Sequence, residues 1–146
     1  MRPSRAVVFQ IPPYRQPSGR GFFKIRTMKY FQESEFVMDG KPVFGRMNKA
    51  FLEKLDTCRH LAGVPFHITS SYRTPEKNRR VGGSPGSMHL KGRAVDVLCT
   101  DGIIRAAIVK AALSLGLSVG VMKNGLHLDD RDMQVVFHYY DRYKGE

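Results

Sequence analysis

Ser87-Met88-His89-Leu90-Lys91-Gly92-Arg93-Ala94-Val95-Asp96 is the stretch on which the rest of the chain is organised. It sets an imidazole seven residues ahead of a carboxylate, with a glycine between them. Past that glycine, Ala94, Asp96 and Leu98 alternate with Val95 and Val97, the two-residue period of a short strand. Asp96 then faces one side of a sheet while Val95 and Val97 anchor the other side in the core. Gly92 lets the loop before the strand fold back, so that His89 meets Asp96. Further along, Gly125-Leu126-His127-Leu128-Asp129 alternates in the same way, and His127 and Asp129 share a face. Two imidazoles and one carboxylate from these segments match a catalytic zinc site, with three protein ligands and a fourth position left to water.

These residues carry a family likeness. The pattern S-x-H-x-x-G-x-A-x-D with a later H-x-D resembles the zinc D,D-carboxypeptidase and L-alanyl-D-glutamate peptidase superfamily, whose fold is shared with the hedgehog signalling domain. The likeness is to the small phage and bacterial murein peptidases and runs from about Tyr30 to Tyr140. It includes Ser71-Tyr72-Arg73-Thr74-Pro75 and the run from Asn78 through Val81-Gly82-Gly83 to Ser87. The resemblance implies Zn2+ as cofactor, held by His89, Asp96 and His127, and a peptidoglycan peptide as substrate. It also implies that Arg73 faces the zinc, holding a substrate carboxylate or the charge of a tetrahedral intermediate, and that Ser87 hydrogen-bonds substrate. Which peptidoglycan bond is cut stays open.

The general base is where this chain departs from the better-known pattern. Many relatives place Glu or Asp three residues before the second histidine, and here that position is Asn124, whose amide is no base. Small phage-type members carry His-x-Asp instead, as His127 and Asp129 do. Strand alternation sets Asp129 about 6.5–7 Å from His127 along the backbone, in reach of the metal water or of the imidazole it would orient. His138, on the last expected strand, is the rival base.

The 146 residues suffice for one domain that buries a core without disulfides. Cys58 and Cys99 fit no metal-binding spacing and read as reduced core residues. No run reaches the length of a membrane helix. Net charge is +11, and residues 1–29 hold seven basic side chains and no acid. Prolines 3, 12, 13 and 17 interrupt that segment, and Ala6-Val7-Val8-Phe9 is too short for a signal-peptide core. Residues 1–27 therefore read as a flexible basic arm, with Met28 as an alternative start of the zinc peptidase-like domain 28–146. The missing signal peptide points to a cytoplasmic product, of phage type, that acts on the bacterial wall.

Asn48 caps a helix with Phe51, Leu52, Leu55, Cys58 and Ala62 on one face, ended by Gly63. Val64 to Ser70 reads as a strand, with His67 as a strand histidine. Thr74 and Pro75 begin a short helix that runs out at Gly82-Gly83. Asp101 caps a second main helix that is stopped by Gly116. Leu117 to Met122 is a strand, Asn124-Gly125 a two-residue hairpin turn, and Gln134 to Tyr140 the last strand ahead of a frayed tail. The expected architecture is a single α+β domain, with two main helices on a mostly antiparallel sheet and the site on the sheet's open face.

Three functions compete: a zinc peptidase acting as a monomer on peptidoglycan stem peptides or cross-links, an inactive zinc-containing module that binds wall or protein, and a nucleic-acid binder. The third uses only the basic arm, because no recognition helix or basic stripe interleaved with aromatics lies elsewhere.

Overall fold

A computed structural model describes residues 28–139, in which short-range capping signals and one long-range sheet set the architecture. The expected basic arm, Tyr140 and the tail lie outside the described residues. Helix α1 spans Lys49–Ala62, where Asn48 Oδ1 accepts from the Phe51 N–H at 3.0 Å and Gly63 closes the end at φ 65°. Its face of Phe51, Leu52, Leu55 and Cys58 is buried. Helix α3, Gly102–Ser114, is capped by Asp101, whose Oδ1 accepts from the N–H groups of Ile103 and Ile104. It buries Ile108, Ala111 and Ala112 and packs on α1. Between them lies the short α2, Pro75–Arg80, with Thr74 Oγ1 accepting from Lys77 N–H at 3.2 Å. No described helix is long and apolar enough to cross a membrane.

Among the described residues, seven strands complete the α+β fold. A two-stranded hairpin pairs β1, Val37–Met38, with β2, Lys41–Pro42. The other five are β3 (His67–Ser70), β4 (Ala94–Leu98), β5 (Ser118–Met122), β6 (Gly125–Asp129) and β7 (Val136–His138), in the order β3-β4-β6-β5-β7. All pairings in this sheet are antiparallel except β5 with β7. The sheet's parity is the decisive feature. Val95, Val97, Val119, Leu126 and Leu128 are buried in the hydrophobic core, which they share with α1 and α3. On the other face Asp96, His127, Gly120 and Phe137 stand in one register row, drawn from four different strands.

Three boundaries differ from the sequence reading, each for a local reason. β3 begins at His67 rather than Val64, because Pro65 has no N–H to donate to a ladder. The hairpin turn is Lys123-Asn124, since Met122 pairs with Gly125. Gly125 is a ladder residue, and a Cβ on it would run into the carbonyl oxygen of Val97. β7 covers only Val136–His138, because Gln134 is taken up elsewhere. Its Nε2 donates to the carbonyls of Leu113 and Leu117, both at 2.9 Å, which caps the end of α3.

Candidate metal centre

His89 sits on a 3-10 turn, Met88–Lys91, that Ser87 starts by accepting the His89 N–H on its Oγ at 3.3 Å. Gly92 ends the turn at φ 65°, and a Cβ there would lie 2.9 Å from the Met47 Cα. Only glycine fits both demands, the left-handed backbone and the close approach. The Gly92 carbonyl in return accepts from the Asn48 N–H at 2.9 Å, so the turn is pinned to the start of α1. His89 Nδ1 is 2.6 Å from the carbonyl oxygen of Ser71. A carbonyl only accepts, so Nδ1 carries the proton and Nε2 is left as the ligand atom.

His89 Nε2 lies 3.2 Å from Asp96 Oδ1, and His127 Nδ1 approaches the same oxygen at 3.0 Å. The three ligand atoms lie within 4.8 Å of one another. Burial favours a neutral Asp96, but its hydrogen bonds to His127 and His89 outweigh burial and hold the carboxyl well below the usual range. Its second oxygen accepts from Arg73 Nη2 at 3.0 Å. Arg73 is itself held, with Nε donating to Ser70 Oγ at 3.0 Å and its N–H to the His89 carbonyl at 3.0 Å.

The far side of His127 is supported differently. Its Nε2 lies 2.7 Å from Asp129 Oδ2, and Asp129 is fully buried. Arg131 donates to both oxygens of that carboxylate, through its backbone N–H, Nε and Nη2. Burial pushes the Asp129 carboxyl up, yet the Arg131 and His127 hydrogen bonds more than offset this and keep it low. For His127 the balance has the opposite sign: burial lowers its pKa, and the two carboxylates raise it above the ordinary imidazole value. Phe137 and Tyr139 wall the site. Their rings cover Gly120, within 2.8 Å of where its Cβ would stand, and lie 5.7 and 5.8 Å from the His127 ring. Burial first, then the charge of Asp96, pushes the Tyr139 phenol up to about 12.

The donor set suits a divalent cation of borderline softness: two imidazole nitrogens and a carboxylate, each oriented by a group behind it. Of the expected site residues, His89, Asp96, His127, Arg73 and Asp129 come together. Ser87 stands beside them as the cap of the His89 turn. His138 does not join them. It is exposed, and alternation along β7 turns it to the face opposite Phe137 and Tyr139. Asn124 sits in the hairpin turn, its carbonyl accepting from Cys99 N–H at 2.9 Å. Sequence reasoning missed Arg131, and the Ser71 carbonyl, which no side-chain pattern reports. It also missed the Phe137 and Tyr139 wall, although the two residues stand two apart on a strand, which was a usable signal.

No curated protein sequence matches the chain. Among solved structures, the L-Ala D-Glu endopeptidase ChiX of Serratia marcescens is similar at 23% identity and a TM-score of 0.42, over 58% of this chain and 80% of that one. The sequence model described as Peptidase M15 matches residues 29–129. That span takes in every strand but the last, and His89, Asp96, His127 and Asp129 with them. By that match the chain belongs to the peptidase M15 family of metallopeptidases.

Proposed function

We propose that this protein is a zinc-dependent peptidase that hydrolyses peptide bonds in bacterial peptidoglycan, in stem peptides or in cross-links. The observation that supports it is the convergence of His89, Asp96 and His127, each with a ligand atom within 4.8 Å of the others'. Bound by these three, zinc would polarise the scissile carbonyl and make water a competent nucleophile near neutral pH. The other groups divide the remaining work. Arg73 secures Asp96 through Oδ2 and places a fixed cation at the site, where negative charge develops on the carbonyl oxygen. The Ser71 carbonyl and the Asp129 carboxylate hold protons on the outer nitrogens of the two imidazoles and so keep the inner nitrogens available. Both oxygens of Asp129 are already engaged, which favours an orienting role over that of base. Tyr139, a neutral phenol at the rim, is half exposed and available to substrate. Ser87 belongs to substrate binding in the same reading, as does lysis of the cell wall in the manner of a phage endolysin.

One feature favours an alternative, a zinc-containing binding module without turnover. Asn124 stands three residues before His127, where the family resemblance leads one to expect an acid. Digestion of purified murein, zinc-loaded and after chelation, with fragment masses read, separates the two. Zinc-dependent release of peptides establishes the peptidase and names its bond. Murein that is bound but left whole by the zinc-loaded protein rejects it.

A further inference from the structure

Arg131 makes no hydrogen bond to His89, Asp96 or His127 among the described residues, yet it contacts both supports of the His127 ring. The first is Asp129. Arg131 Nε donates to Oδ1 at 2.8 Å and to Oδ2 at 3.1 Å, its N–H donates to Oδ1 at 3.1 Å, and Nη2 donates to Oδ2. The second is Phe137, whose ring lies 4.9 Å from the guanidinium carbon of Arg131 and 5.7 Å from the His127 ring. An imidazole turns about a broad, roughly two-fold torsion, and a half-turn puts the carbons Cδ2 and Cε1, which bind no metal, where Nδ1 and Nε2 stood. Asp129 selects one orientation only if its carboxylate is itself fixed. In the sheet that carboxylate stands between Ala94 and Ser118, its partners across the ladders, and both side chains are small. Neither of them holds it. Arg131 does, with a planar fork that a point charge cannot reproduce.

We propose that Arg131 is a positioning residue of the metal centre, setting the orientation of His127 through Asp129 and Phe137. The inference rests on the reading of His89, Asp96 and His127 as zinc ligands. It makes Arg131 the counterpart of Arg73: each arginine grips one carboxylate of the centre, the ligand Asp96 in one case and Asp129, behind His127, in the other.

The test compares wild type, Arg131→Met, Arg131→Lys, Asp129→Asn and the double variant Asp129→Asn/Arg131→Met. Zinc affinity is measured by competition with a chromophoric chelator, and the visible absorption of the Co2+ form reports ligand geometry. Thermal melts control for folding. Arg131→Met should bind zinc about 10- to 100-fold more weakly and shift the cobalt bands, as expected for loss of an outer support. Arg131→Lys should fall between it and wild type. The double variant should lose no more affinity than Asp129→Asn, because both changes break one path. Unchanged zinc affinity and cobalt bands in Arg131→Met overturn the proposal, even if melting falls, since that is the mark of a structural ion pair. Additive losses in the double variant overturn it too. Should Arg131→Met fail to fold, Arg131→Lys decides, and wild-type affinity there overturns it. A wild-type protein that takes up no zinc brings down the underlying ligand assignment instead.

Discussion

The two histidines of the centre are held in opposite ways. His89 hangs from the main chain: its outer nitrogen donates to the Ser71 carbonyl, and its backbone is pinned by Ser87 and Gly92. His127 rests on charge, a buried carboxylate that is itself gripped by an arginine. A carbonyl is present whatever side chain stands at that position, whereas a carboxylate must be both encoded and anchored. The His127 half should therefore respond to side-chain substitution, and the His89 half chiefly to changes in backbone path.

The largest effect expected is common to both halves. His89→Ala or His127→Ala should abolish one-to-one zinc uptake and reduce murein cleavage to background, because two remaining ligands hold the ion poorly. Retained stoichiometric zinc by elemental analysis, with a native circular dichroism spectrum, would remove that residue from the ligand set.

Asp129→Asn should come next. As an orienting residue it should weaken zinc binding by about 10- to 100-fold, with activity partly recovered in excess zinc. A loss of about a hundredfold in kcat at full zinc occupancy would instead make Asp129 the base. Ser71→Ala is the matching change on the other half, and zinc affinity should stay within about twofold, because the carbonyl remains. The buried Ser71 hydroxyl has no hydrogen-bond partner among the described residues, so its removal also carries little cost in stability. A Ser71→Ala variant as defective as Asp129→Asn would break the contrast.

The smallest effect concerns an exposed carboxylate paired to cations. Asp39, in the β1–β2 turn, meets Lys77 Nζ at 2.5 Å and Arg80 Nη2 at 3.1 Å, both from α2. The Lys77 hydrogen bond, first among several causes, lowers its pKa below the ordinary carboxylate value. A depressed carboxylate stabilises the fold above its unfolded pKa and loses that contribution as pH falls through the folded value. Asp39→Asn should therefore lower the melting temperature slightly at neutral pH and not at all in strong acid. Equal shifts at both pH values would show that the charge plays no part. Solvent screening keeps this pair weak, whereas the Arg131 grip on a buried carboxylate is not so diluted.

Some of this was legible in sequence because it depends on neighbours close along the chain. The spacing of His89, Gly92 and Asp96, the alternation of both strand segments, and the caps Asn48, Thr74 and Asp101 involve groups a few residues apart. The same holds for the convergence of the candidate ligands, since Asp96 and His127 each lie on a face that the alternation marks as polar.

What local pattern could not decide was parity between distant strands. Alternation shows that Phe137 and Tyr139 oppose His138, but not which of them meets the site. Pairing of β7 with β5 settles that, setting Phe137 against Gly120 and sending His138 to the other face. A shift of one residue in that register would have exchanged them. Gly125 read as a turn residue because the carbonyl of Val97 that excludes its side chain lies on another strand. The choice of candidate ligands was thus written in residue types and short spacings. The supports behind them, Ser71 for His89 and Arg131 with Phe137 for His127, depend on which strands lie side by side, and only the tertiary structure decided that.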